Sequence, residues 1–375
     1  MGKVLNYGII GTGMMGQEHI RNLALLDGAQ VAAICEPDPA MRAAATALAP
    51  EAVALSALPE LLEQPDLDAL VIASPNHTHV TQIAEIAATR PLPLLVEKPL
   101  FTDPTDLTRL KALLYSYKAP VWVAMEYRYM PPIAAFLERA HQATGGINML
   151  TIREHRFPFL PKVGDWNRFN RYTGGTFVEK CCHFFDLMRL ALGSEPVRIM
   201  ASAPPALNHR DESYGEGIPD ILDAGYVIVE FETGARAMLE LCMYAEGSRY
   251  QEELSAVGPL GKIEAFVPGP TRFWPEEMGA APVPELQISP RTPMGPQREE
   301  VPVDAALLKA GDHNGATFYQ HLRFAALIRG EADAPDVSAA DGWKAVEMGL
   351  AAQKSIETGR SICLRANDAR QEGVA

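Results

Sequence analysis

Glu179, His183 and Asp186 stand four and then three residues apart in the apolar run TFVEKCCHFFDL. In a helix, that spacing puts all three on one face. Phe177, Val178, Cys181, Cys182, Phe184, Phe185, Leu187 and Met188 cover most other directions, as in a helix buried nearly all round. Ionisable groups placed there need partners or a task. An imidazole titrates near neutrality and suits proton transfer, and Glu179, one turn earlier, can orient it. Two quieter readings fit the same spacing. Thr176-x-x-Glu179 is a capping box, and His183 with Asp186 makes a satisfied core pair or a salt-bridge acceptor. Metal binding by Glu179, Cys182, His183 and Asp186 fits poorly, because one helix does not easily aim four ligands at one ion.

A second chemical pattern lies near the start. Gly11-Thr-Gly13-Met-Met-Gly16 follows the strand-like run LNYGIIG and opens a helical pattern. That context fits a dinucleotide-binding turn. Gly11 allows the tight turn, Gly13 lets a pyrophosphate approach the backbone, and Gly16 lets helix and strand pack closely. The amides of Met14 and Met15 then face the phosphates at a helix N-terminus. Glu36 closes the second strand. A carboxylate there accepts from a ribose 2′-hydroxyl and repels a 2′-phosphate, so NAD is expected rather than NADP. Capping the next helix is the simpler role for Glu36. Ser74-Pro-Asn-His-Thr-His79 and Glu97-Lys98-Pro99 end two later strands, where ligands bind in open α/β sheets. Ser74 and Asn76 are cofactor contacts or caps. Lys98 is a crevice lysine or a solvated one, and Pro99 is a candidate cis residue.

The elements that must position these groups alternate. Strand-like runs at 5–11, 31–36, 69–74, 93–98 and 121–125 are separated by helical patterns at 14–26, 38–48, 77–90 and 104–118. Continuous apolar strands between helices predict a parallel sheet covered on both faces, in a doubly wound α/β fold. After about residue 130 the rhythm changes. A helix from Pro132 to about Thr144 leads into a strand at 148–157, a loop at 158–173 and the His183 segment. Antiparallel strands then follow, with turns at 232–235 and 258–261. An irregular, Pro-rich stretch covers 266–312, and helices at 315–329 and 339–359 close the chain. The expected division is a Rossmann dinucleotide-binding domain at 1–127, a substrate-binding and oligomerisation domain at 128–365 and a frayed tail at 366–375.

Composition excludes several classes of function. The 375 residues are 47% hydrophobic and 21% charged, as in an ordinary globular protein. A net charge of −14 without a basic run argues against nucleic-acid binding. No apolar run reaches the roughly 20 residues that span a bilayer. The N-terminus enters a strand directly and does not resemble a leader. Five cysteines, odd in number and without a C-x-x-C, argue against a disulfide framework or zinc knuckle. A cytoplasmic location is expected.

GTGMMG, Glu36, SPNHTH and EKP, with GGTFVEKCCHFFD downstream, together resemble the Gfo/Idh/MocA family of oxidoreductases, over most of the chain. The resemblance implies an N-terminal Rossmann domain and a C-terminal α/β domain with a large, mostly antiparallel sheet. It also implies NAD or NADP, and oxidation or reduction of a sugar or cyclitol hydroxyl. Lys98 matches the family's active-site lysine, His183 its catalytic histidine, and Asp186 the acid three residues beyond. Glu179 stands where the family usually has aspartate. In AMEYRY, Arg128 is kept, and Glu126 occupies the position of a cofactor-contacting asparagine.

The catalytic set expected is therefore Lys98, His183 and Glu179. The cofactor set is Gly11, Gly13, Met14, Met15, Gly16, Glu36, Ser74, Asn76, His79, Glu97, Lys98 and Glu126. The substrate set is Lys98, Arg128, Lys162, Trp166, Arg168, Glu179 and His183, with no metal. Oxidising a secondary alcohol needs a hydride acceptor, which NAD supplies, and a proton acceptor. His183 would take the proton, Glu179 would orient its ring, and Lys98 would stabilise the developing alkoxide. The ligand is a small polyhydroxylated molecule, or an anionic one such as a uronate, and a homo-oligomer is expected by analogy. Two alternatives use the same parts: an NAD-dependent glycosidase or lyase that borrows and returns the hydride, and a cofactor-sensing regulator without catalysis.

Overall fold

The computed structural model describes residues 3–215 and 217–364, so the tail expected at 366–375 lies outside the described residues. β1 (Leu5–Ile10), β2 (Ala29–Cys35), β3 (Val53–Leu55), β4 (Ala69–Ile72), β5 (Leu94–Val96) and β6 (Val121–Val123) form a parallel sheet. Their order is β3-β2-β1-β4-β5-β6, the doubly wound arrangement of a Rossmann fold. β4, β5 and β6 are buried along their whole length, which explains their unbroken apolar runs. The strand order reverses between β1 and β4. The glycine turn after β1 and Ser74 after β4 therefore flank the crevice where such sheets bind ligands.

The second sheet contains β7 (Met149–His155), β8 (Pro196–Ser202), β9 (Ala224–Phe231), β10 (Arg236–Cys242), β11 (Glu252–Gly258) and β12 (Gly261–Val267). β13 (Glu285–Pro290), β14 (Gln297–Glu300) and β15 (Ile362–Cys363) complete it, in the order β14-β13-β12-β11-β7-β10-β9-β8-β15. Only β7 and β10 pair in parallel. β12 shows the logic of the sheet: Ile263, Ala265 and Val267 are buried, while Lys262, Glu264 and Phe266 between them face the wetter side. Helices Pro131–Thr144 and Ala339–Thr358 cover the apolar face.

Three expectations are corrected here. The short strand β3 was not expected; it is an edge strand with little buried surface. The stretch 266–312 is not wholly irregular, because β13 and β14 add two strands at the sheet's far edge, and β14 is exposed throughout. The segment 176–188 is not one helix. Helix Thr176–Glu179 stops, Lys180 and Cys181 turn, and helix Cys182–Leu192 begins. The break cancels the shared face on which Glu179, His183 and Asp186 were expected to meet.

Helix Ala339–Thr358 connects the two halves. A Cβ on Gly342 would lie 2.7 Å from the Val123 side chain of β6, and one on Gly349 would lie 2.5 Å from the Phe177 carbonyl oxygen. The helix thus packs closely on the Rossmann sheet at one glycine and on the site-bearing segment at the other. Gly349→Val should lower unfolding free energy by about 2–3 kcal/mol through overpacking. Chemical denaturation of the purified variant will measure it, and a loss under about 0.5 kcal/mol would contradict the close approach.

Candidate active site

The glycine turn has the shape a dinucleotide requires. Gly11 sits at φ +83°, and a Cβ there would lie 2.6 Å from the Ser74 backbone. A Cβ on Gly16 would meet the Gly11 carbonyl oxygen at 2.1 Å, so the helix can pack on the turn only without a side chain. A Cβ on Gly13 would meet nothing within 4 Å, which leaves an open cradle. Helix Met14–Leu23 begins there with no side-chain cap, so the Met14 and Met15 amides face the groove. A groove of about 420 Å³ runs from this turn past Glu36, Ser74, Asn76, Glu97 and Lys98.

Glu36 is buried at the groove's edge. Its carboxylate accepts the Thr12 amide at 2.7 Å and the Asp38 amide at 2.9 Å, so it braces the turn as well as facing the groove. Arg42 donates to the Glu36 and Pro37 carbonyl oxygens. That engagement occupies the nearby cation that a 2′-phosphate would need. The Ser74 hydroxyl is shared with Gln82 at 2.6 Å and Thr78 at 2.9 Å. Glu97 accepts from His19 at 3.0 Å and lines the groove beside Lys98. The Lys98–Pro99 peptide is cis, as the sequence suggested.

A cleft of about 950 Å³ opens from the groove, with which it shares Met14, Met15, Lys98, Lys162 and Glu179. Lys98 and His183 both line it. Lys98 Nζ donates to the Glu179 main-chain oxygen at 3.1 Å. Burial works against the Lys98 ammonium, but the Glu179 carboxylate, with Cys182, Glu97 and Glu126, more than offsets it and raises the pKa. His183 is 2% exposed, and its ring stacks on Tyr127 at 4.0 Å between centroids and 7° between planes. Burial, followed by the charges of Lys98, Lys180, His313 and Arg156, holds its pKa well below the ordinary 6.5. A fixed cation therefore sits beside a neutral imidazole. The pair can stabilise an alkoxide and accept a proton.

Residues 5–125 match the NAD-binding Rossmann fold of the Gfo/Idh/MocA oxidoreductases, and residues 143–364 match their C-terminal α/β domain. The chain belongs to this family. Inositol 2-dehydrogenase 1 of Saccharopolyspora erythraea is 28% identical over 272 residues, or 70% of this chain and 74% of its own. Inositol 2-dehydrogenase 2 of the same organism is 28% identical over 326 residues, or 86% of this chain and 91% of its own. Among solved structures, levoglucosan dehydrogenase in complex with NADH and levoglucosan superposes with a TM-score of 0.79 at 20% identity, covering 96% of this chain and 99% of that one.

Within this Gfo/Idh/MocA frame several expected residues lie elsewhere. The Glu179 carboxylate accepts from the Asn76 amide and does not orient His183. Arg128 lines neither groove nor cleft. Its guanidinium grips Asp186 with two bonds of 2.5 Å and donates to the Asp336 carbonyl oxygen at 2.9 Å. Arg168 is 2% exposed and pairs with Glu212 at 2.7 Å, away from both cavities. His79 is fully buried behind the groove wall, within 2.9 Å of the Pro99 carbonyl oxygen and 3.1 Å of the Ser74 one, so it ties the two strand-end loops together. Lys162 and Trp166 do reach the groove, with the ammonium 5.7 Å from the ring centroid, and Lys162 also lines the cleft.

Other cleft residues were not expected. Lys180 adjoins Glu179 in the opening motif, yet only the break in the helix turns it into the cleft. Tyr127, Arg156 and Gln251 line the same wall. Glu126 faces this cleft rather than the groove, and joins buried Glu18 and half-buried His313 in a cluster whose ligand atoms lie within 4.8 Å of one another. Burial disfavours a charged His313, but Glu126 and Glu18 outweigh it and raise its pKa to about 9. The cluster thus holds its own cation, an imidazolium between two carboxylates. Asp186→Ala should cost about 3–5 kcal/mol by stranding a buried guanidinium. Calorimetric NAD binding to the folded variant should stay within about threefold of the parent; a larger loss would return Arg128 to the ligand site.

Proposed function

We propose that this chain is an NAD-dependent dehydrogenase acting on a secondary hydroxyl of a cyclitol, sugar or sugar acid. The observation that carries the reading is the convergence of Lys98 and His183 on one cleft that opens from the glycine-turn groove. The relatives named as inositol 2-dehydrogenases support a cyclitol or sugar as substrate. NAD is preferred to NADP, because Glu36 faces the groove while Arg42 is committed to main-chain oxygens. NAD, when bound, accepts the hydride from the carbinol carbon.

The chain's residues do the rest. The Lys98 ammonium donates to the substrate oxygen and stabilises the growing negative charge. His183, neutral and lining the cleft, accepts the hydroxyl proton. Lys162 and Glu179 line the junction of groove and cleft, where the nicotinamide and the carbinol must meet. A homo-oligomer is part of the reading, supported by the exposed Met149, Tyr226, Ile228 and Val257 on the outer face of the second sheet. The five cysteines are free, which supports a reducing, cytoplasmic setting. No helix among the described residues is long and apolar enough to cross a membrane.

Purified protein incubated with NAD and a panel of cyclitols, aldoses and uronates should generate reduced cofactor, read at its absorbance near 340 nm. Cofactor binding without turnover on any member would sink the reading. Lys98→Ala and His183→Ala should each lower kcat about a hundredfold or more. The pH dependence has a definite sign. The His183 pKa lies below 6.5, so the base stays deprotonated at neutrality and kcat/KM should fall only in the acid range. The Lys98 pKa lies above 10.5, so the cation persists through mildly alkaline conditions. An acid limb centred at pH 7 or higher would exclude this assignment of the base.

A further inference from the structure

Neither carboxylate on the His183 segment reaches the ring. Glu179 bonds to Asn76, and Asp186 bonds to Arg128. A catalytic imidazole is ordinarily oriented by such a carboxylate, through the ring nitrogen that faces away from the substrate. Another chain of contacts ends on this ring. Tyr127 lies flat against it, 4.0 Å between centroids and 7° from parallel. The Tyr127 hydroxyl oxygen accepts from Lys180 Nζ at 2.5 Å. The same ammonium is paired with Glu154 at 2.8 Å. Glu154 is fully buried on β7, opposite Glu252 of β11.

We propose that the Glu154–Lys180–Tyr127 chain fixes the plane of the His183 imidazole, doing by stacking what a histidine-directed carboxylate does by hydrogen bonding. Lys180 and Tyr127 are thus positioning residues. The inference rests on the reading of His183 as the proton acceptor. The arrangement is not merely structural, because each link is aimed. A lysine whose only task was to neutralise Glu154 would not need to reach a tyrosine hydroxyl. A tyrosine serving only as core filler would not need to lie parallel to the imidazole that lines the cleft beside Lys98.

The substitution also changes the charge around the ring. A carboxylate partner favours the imidazolium, whereas a stacked phenol leaves the charge of the ring uncompensated. The groups facing His183 are Lys98 after β5, Tyr127 after β6, Arg156 after β7, Lys180 at the helix break and His313 before helix Ala316–Ile328. Burial acts first against the charged ring, and the four cations among these groups add to it. Removing Lys180 therefore loosens the ring and lets it protonate more readily.

The test uses the full chain carrying Lys180→Met, and a Lys180→Met/Glu154→Gln double variant that removes the Glu154 charge together with its ammonium and so keeps a foldable control. Direct NMR titration of His183 in the NAD-free protein should show its pKa rising by about one unit in both variants. kcat should fall about a hundredfold, the cost of roughly 1 Å of misplacement, with KM little changed. Tyr127→Phe, which keeps the stack and loses the anchor, should fall between the parent and Tyr127→Leu. Lys180→Arg should restore part of the rate. An unmoved His183 titration together with parental kcat in the double variant would overturn the proposal. Parental kcat in the double variant would overturn it even if the titration moves, because loss of the Lys180 charge alone shifts the ring.

Discussion

Lys98 Nζ donates to the Glu179 main-chain oxygen at 3.1 Å, and much of the site's order follows from that bond. The carbonyl is available because helix Thr176–Glu179 ends there, so the oxygen has no amide four residues on to receive. A strand end of the Rossmann sheet is thereby tied to a helix end of the second half. The Glu179 side chain adds a second tie, to Asn76 beyond β4. The groove and the cleft meet at these two ties, and Glu179 lines both. A continuous helix through 176–188 would have spent the carbonyl internally and removed the anchor.

Charge in the cleft is arranged by pairing rather than by exposure. His313 is held as a cation between Glu18 and Glu126, and Lys180 is held against Glu154. Among the described residues His183 has no such partner, and it stays neutral. The two imidazoles thus keep different protonation states within one cavity, because their neighbours differ. Lys98 remains cationic in the same low-dielectric setting only because Glu179 and three further groups outweigh burial.

The parts that sequence predicted well are those whose meaning is local. A strand, three glycines at fixed spacing and a helix lie within about 20 residues, and steric necessity at Gly11 and Gly16 leaves one geometry for them. The buried parallel strands were equally plain, since both faces demand apolar residues. Edge strands β3 and β14 carry no such demand: β14 reads QREE, and the apolar run of β3 is only three residues long. Neither glycine nor proline marks the helix break at Lys180 and Cys181; tertiary contacts impose it. The arginines misled for another reason. Arg128 and Arg168 find their partners 58 and 44 residues away, and no spacing rule links them. Lys180 went unnoticed because its partner hydroxyl lies 53 residues upstream.

The long helix Ala339–Thr358 touches β6 through Gly342 and the Phe177 backbone through Gly349. Close approaches two turns apart on one rod, to the Val123 side chain and to the Phe177 backbone, resist separation without unpacking it. The helix thus ties the two lobes together, and the spacing from strand end to imidazole is built into the packing of the free protein. Segments 158–168 and 270–273 form the cleft rim away from that helix.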